Sequence, residues 1–242
     1  MENNDIYYKK LRQTIGWLGI LLPLLVYLEN GIIGNCDCLQ DSISHYYYTV
    51  SNSFFVGILC GLGLVLLFYP SHPTDPKHEG LLTSIAGICS ICVSLFPTTP
   101  HSSDSCAIFA WSESAWRAGI HFACAGIMLW IFSYMSIHIF TRTYPGNDLT
   151  GPENQWKRRR NALYVITGWI TRVSILAIGA LAIITYYNPN FPITPKYTFW
   201  FEVSALLAFG LAWIVKGGFI FTDDDEMSTV EQVKEMVTPK SK

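Results

Sequence analysis

Charge is scarce in this chain. Only 14% of its 242 residues are Asp, Glu, Lys or Arg, against about a quarter in soluble domains. The net charge is −2, which removes the electrostatic basis for binding nucleic acid. No Walker loop, Rossmann glycine pattern, nucleophile elbow or HExxH zincin motif occurs, so the common phosphate, dinucleotide and hydrolase signatures are missing. No internal repeat points to an alternating-access transporter. The first apolar segment lacks a small-residue cleavage site and is expected to be a retained span rather than a signal peptide.

Apolar residues fill the space that charge leaves, at 50% of the chain. A membrane-spanning helix needs about 20 of them in succession. Six segments qualify: Thr14–Ile33, Ser51–Tyr69, Leu81–Pro97, Trp116–Phe140, Ala162–Tyr187 and Thr198–Gly217. Lipid offers no partner for a backbone amide, so each is expected to be a helix. The expected fold is all-α, a polytopic transmembrane bundle of six helices over residues 1–221, with a polar cytoplasmic tail at 222–242. Leu81–Pro97 is short and rich in Gly, Ser and Cys, and is expected to pack inside the bundle.

Cations alternate sides along this zigzag. One side carries Lys9, Lys10, Arg12, Lys77, Arg142, the run Lys157–Arg160 and Lys216. The other has no Lys or Arg between Ile33 and Ser51, none from Thr98 to Trp116, and only Lys196 before the last span. The positive-inside rule then makes both termini cytoplasmic, in a multi-pass protein of a cell inner (plasma) membrane whose surroundings are membrane lipids. Tyr7, Tyr8, Trp17, Tyr46–Tyr48, Trp111, Trp116, Tyr186, Tyr187, Tyr197 and Trp200 are expected to line the two headgroup layers.

Cys60, Cys89, Cys92 and Cys124 fall within spans, where a thiol packs as a small apolar group. Cys36, Cys38 and Cys106 fall in outer loops. An oxidising compartment would pair Cys106 with Cys36 or with Cys38.

The outer side also gathers the polar side chains. Asp41, Ser44, His45 and Tyr48 lead into the second span, and His101 and Asp104 follow the third. Arg117 and His121 begin the fourth, and Glu29 and Glu202 lie near the outer ends of the first and sixth. Ionisable groups at membrane depth face the interior and pair, so an outer-facing polar pocket is expected, with Glu202 and Arg117 as a buried pair. If Asp41–Tyr48 is α-helical, Asp41 shares a face with His45 and Ser44 with Tyr48. His45, His101 and His121 could then hold zinc, with Asp41 orienting a ligand. Arg172 falls near mid-bilayer, where it should face the bundle and meet helix carbonyls, Glu29, Glu202 or an anionic ligand.

Several stretches together resemble an uncharacterised family of bacterial six-span integral membrane proteins. They are Ser42-Ile-Ser-His-Tyr-Tyr-Tyr-Thr49 with Phe55-Val-Gly57, Ser94-Leu-Phe-Pro-Thr98, His121-Phe-x-x-Ala125, Arg160-Asn161-x-x-Tyr164, and Phe209-Gly-x-x-Trp213-x-x-Lys216-Gly217. The resemblance implies a six-helix bundle in a bacterial inner membrane and no particular activity. A more distant, partial likeness is to alkaline ceramidases and adiponectin-type receptors, which hold zinc with Ser-x-x-x-His and His-x-x-x-His. Here Asp41 stands four residues before His45, and no His-x-x-x-His occurs. The functions in view are a binding or sensing module for a lipid headgroup or small molecule, a zinc-dependent lipid amide or ester hydrolase, and a structural assembly subunit. The last would use Gly57, Gly61 and Gly63 for close helix approach, as in a homo-oligomer.

Overall fold

The computed structural model describes residues 2–70, 79–99, 106–112, 114–142, 155–192, 194 and 196–221. The six α-helices of these residues are α1 (Glu2–Ile32), α2 (Asn52–Leu67), α3 (Glu79–Leu95), α4 (Ala115–Tyr134), α5 (Gln155–Tyr187) and α6 (Tyr197–Lys216). A 3-10 helix (Ile43–Tyr48) precedes α2, and a π turn (Met135–Ile139) extends α4. Lys77, His101, Asp104 and the tail at 222–242 lie outside the described residues.

Each helix packs on its sequence neighbours, and α6 closes onto α1. The result is an up-and-down ring. Its interior is filled by aromatic side chains. Phe132 of α4 and Phe209 of α6 stack across it with centroids 3.9 Å apart, and Trp213 is fully buried between Tyr69 and Phe140.

In lipid no hydrophobic force pushes helix against helix, so close packing and polar ties must hold the seams. Hydroxyls supply many of the ties. Ser51 Oγ donates to Val26 O (2.6 Å), Ser90 Oγ to Leu59 O (2.8 Å), Ser133 Oγ to Gly168 O (2.8 Å) and Thr171 Oγ1 to Ala205 O (3.3 Å). Glycine supplies the close approach. A Cβ on Gly16 would stand 2.6 Å from Gly210 O, and one on Gly87 would stand 2.6 Å from Gly63 O. Gly63 thus serves the α2–α3 seam, whereas Gly57 and Gly61 face open space.

Four of the helices are long and apolar enough to cross a membrane: Ile6–Ile32, Ala115–Ile139, Gln155–Tyr187 and Tyr197–Lys216. This is a membrane protein. The apolar helices α2 and α3 are shorter, at 16 and 17 residues. The expectation that the third segment lies inside the bundle is corrected. α3 is a ring member with one face outward, leaving Leu81, Ile88 and Leu95 more than half exposed, because the ring interior is already filled from α4 and α6.

The two ends of the ring differ. At one, Arg12 Nε donates to Tyr69 Oη (2.7 Å), Lys216 Nζ reaches Phe140 O (3.4 Å) and Arg160 donates to Phe221 O (2.9 Å). The other end carries the loop after α1, the 3-10 helix and the start of α4.

The α1–α6 seam yields a test. Gly16→Val should destabilise the protein by about 1–3 kcal/mol through overpacking. Gly57→Ala should be neutral or stabilising by up to ~1 kcal/mol, since it meets nothing and rigidifies a helix. Thermal unfolding in detergent micelles compares the two; equal losses would refute the seam.

Candidate functional site

The site begins with a cap. Ser42 lies in extended backbone before the 3-10 helix, and its Oγ accepts the N–H of Ser44 at 3.1 Å. Downstream, Thr49 Oγ1 donates to Tyr46 O, and Asn52 Nδ2 donates to Tyr47 O. Short polar side chains that satisfy nearby backbone in this way stop an α-helix from forming. The segment is therefore 3-10, with i and i+3 aligned. The expected α-helical faces, Asp41 with His45 and Ser44 with Tyr48, are corrected accordingly. Asp41 precedes the helix, and its carbonyl accepts the N–H of Phe199 at 3.0 Å.

Ser42 and Ser44 anchor a hydrogen-bond relay through four elements, in two legs joined by the Ser44 backbone N–H. Ser42 Oγ donates to the Glu202 carboxylate, 2.9 Å from each oxygen, and the Ile43 N–H donates to Oε2 at 2.6 Å. Ser44 Oγ lies 2.8 Å from His121 Nε2, and His121 Nδ1 lies 2.8 Å from Phe96 O. A carbonyl only accepts, so Nδ1 carries its proton. In the neutral ring Nε2 is then an acceptor, and Ser44 donates to it. The chain runs from Glu202 on α6, through Ser42 and Ser44, to His121 on α4 and the end of α3. His121 is 1% exposed and Ser44 8%.

Phe96 O is open to His121 for a reason legible in the sequence. α3 ends at Leu95 before Pro97, and the last carbonyls of a helix have no partner within it. The residue that would continue the helical ladder to Phe96 O is Pro100, which has no N–H. Tyr48 uses the same terminus: its Oη donates to Thr98 O at 2.5 Å. Tyr48 is buried with Tyr46 and Tyr47, which corrects their assignment to a headgroup layer. The rings of Tyr47 and Tyr48 pack on Phe109. Burial raises both phenols above their ordinary value of 10.0, Tyr47 raises Tyr48 further, and the Arg117 charge works in the opposite direction on both.

The loop after α1 is pinned to this assembly. Asn35 turns it in the left-handed region at φ 47°, which Asn tolerates. Asn30 Nδ2 donates to Cys36 O at 2.9 Å, and Cys36 is disulfide-bonded to Cys106. Two residues on, the Ile108 N–H donates to Tyr48 O at 2.9 Å. Cys38 stays outside the disulfide, with its sulfur within 4.8 Å of both others.

Of the residues expected here, Ser44 and His121 meet directly, and Glu202 joins them through Ser42. Tyr48 borders them. Arg117 does not pair with Glu202. It donates to Ser112 O and stacks over Trp111 at 5.2 Å, at the mouth of α4, while Glu202 is taken by Ser42 and Ile43. Arg172 also sits apart, between the rings of Trp130 and Trp169. His101 is outside the described residues. Among the described residues, the one group of three His, Cys, Asp or Glu close enough to share a metal ion is Cys36, Cys38 and Cys106; His45 and His121 belong to no such group. Ser42 and the carbonyls of Phe96 and Thr98 were missed. The Ser-x-Ser spacing and the two prolines after Phe96 were the available signals.

No family model, curated protein or solved structure matches this chain.

Glu202→Ala strands the Ile43 N–H and Ser42, and should cost about 2–3 kcal/mol. Arg117→Ala should stay within about 0.5 kcal/mol. Denaturant unfolding in micelles separates them; a larger loss for Arg117→Ala would contradict the relay. Peptide mapping without reductant should find Cys36 linked to Cys106, and alkylation should mark Cys38. Three alkylated outer thiols would remove the pin.

Proposed function

We propose that this chain is a multi-pass inner-membrane protein with six spans and both termini cytoplasmic, which binds a lipid headgroup or small polar molecule at its outer end. Ring order supports six spans: α1 ends and α4 begins at the same end, so α2 and α3 carry the chain across and back. The clustering of Arg12, Arg160 and Lys216 at the opposite end supports the orientation.

One observation carries the binding function. The relay from Glu202 through Ser42, Ser44 and His121 to Phe96 O gathers a carboxylate, two hydroxyls and an imidazole under one face of an otherwise apolar bundle. Few convergent polar groups in an apolar frame are how a site orients a small ligand. A ligand that takes the Ser44 proton on a carbonyl or phosphate oxygen must also offer a donor to His121 Nε2, because a buried acceptor left bare is costly.

A second function has its own support. Ser44 donates to a histidine whose other nitrogen is fixed by a carbonyl, which is the arrangement that activates a serine nucleophile. Attack of Ser44 Oγ on a lipid ester or amide carbonyl would transfer the Ser44 proton to His121, which would pass it to the leaving alcohol or amine as the acyl bond to that group breaks, and water would then release the acyl group from Ser44. This route uses the hydrolase chemistry expected from the sequence without calling on zinc. His121 could become a zinc ligand only after its bond to Ser44 broke.

Fluorophosphonate labelling of the purified protein distinguishes the two. Binding predicts no label, with a co-purifying lipid or small molecule found by mass spectrometry and lost in Ser44→Ala and His121→Ala. Hydrolysis predicts labelling of Ser44 that His121→Ala cuts by at least about a hundredfold. Neither label nor ligand would leave the relay as a structural tie.

A further inference from the structure

Arg172 lies at the wrong depth for an ordinary surface cation. Thr171, beside it, bonds Ala205 near the centre of α6. Arg172 is also close to the middle of the apolar stretch of α5. It is half-buried, and its guanidinium sits 4.7 Å from the centre of the Trp130 ring and 5.1 Å from that of Trp169. Its Nε is buried with no hydrogen-bond partner. No carboxylate of the described residues pairs with it. Glu202 is held by Ser42 and Ile43, Glu29 receives Ser53, and Glu79 opens α3.

Cation–π contact offsets only part of what a charge costs at this depth. The two rings that flank the half-buried guanidinium both reach the outer surface of the bundle. Trp130 and Trp169 are themselves 44% and 51% exposed. Around them Ile166, Val173 and Ile127 form an apolar face. α5 is the least buried of the four long apolar helices.

We propose that this face docks a transmembrane helix of a different protein, one that carries an Asp or Glu at mid-bilayer to pair with Arg172. The complementary charge identifies the partner. A second copy cannot supply it, because the carboxylates of this chain's described helices lie toward helix ends; a parallel copy would set arginine against arginine. A lipid headgroup lies about 15 Å from the midplane, beyond the reach of a side chain held between two rings. The partner helix would bring its carboxylate to the guanidinium and cover the apolar face with its own side chains. This interface is independent of the Ser44–His121 relay.

Full-length protein in phosphatidylcholine vesicles, mixed with a labelled Leu/Ala transmembrane peptide bearing one central Asp, tests the pairing by energy transfer. The Asp peptide should bind about tenfold tighter than the same peptide with Leu, and a Lys peptide should bind more weakly than either. Arg172→Gln should abolish the preference, and Arg172→Lys should keep part of it. Equal binding of Asp and Leu peptides overturns the proposal, as does an Asp preference that survives Arg172→Gln. Should Arg172→Gln fail to fold, the Asp, Leu and Lys series on the unaltered chain decides alone. Loss of the Asp preference on adding phosphatidylglycerol would assign Arg172 to a lipid headgroup and equally overturn it.

Discussion

A polar group surrounded by hydrocarbon has no water to fall back on. Each one must find its partner inside the protein, and the architecture follows from how that is done. Within the helices the backbone satisfies itself. Between them, serines and threonines donate to carbonyls of the next helix around the ring, and paired glycines bring backbones close at the α2–α3 and α1–α6 seams. At helix ends the demand is sharpest, because the last carbonyls have lost their own ladder. The protein meets it at the C-terminus of α3 with His121 and Tyr48, two side chains from elsewhere in the chain.

That solution explains why the polar relay sits where it does. Phe96 O needs a donor, and the imidazole that supplies one is left with its second nitrogen free to accept from Ser44. Ser44 is held in turn by the Ser42 cap, and Ser42 by Glu202. A structural need at one helix end thereby produces a hydroxyl oriented toward a base, which is also the raw material of a binding or catalytic site. The disulfide between Cys36 and Cys106 restrains the two loops that frame it.

Arg172 shares with Trp213, Asn30 and Glu79 a buried polar atom that has no hydrogen-bond partner among the described residues, and it carries its charge near the middle of α5. Every other ionisable group in the long helices lies near an end or is hydrogen-bonded from a neighbouring element. Among the described residues, this one is met by the faces of Trp130 and Trp169, which themselves reach the outer surface.

The all-α class and the placement of basic residues at one end were legible in the sequence, since apolar runs and charge alternation are local patterns that lipid imposes directly. The presence of Ser44, His121 and Glu202 in one neighbourhood was legible too, because each adjoins the same end of its segment. What tertiary structure alone decided is who bonds whom. Glu202 met Ser42 and a backbone amide instead of Arg117, and His121 met a serine and a carbonyl rather than forming a metal-ligating group with His45. Apart from Phe96 O, which the following prolines mark, backbone donors and acceptors carry no residue signature, and their availability depends on where helices stop and how the ring closes.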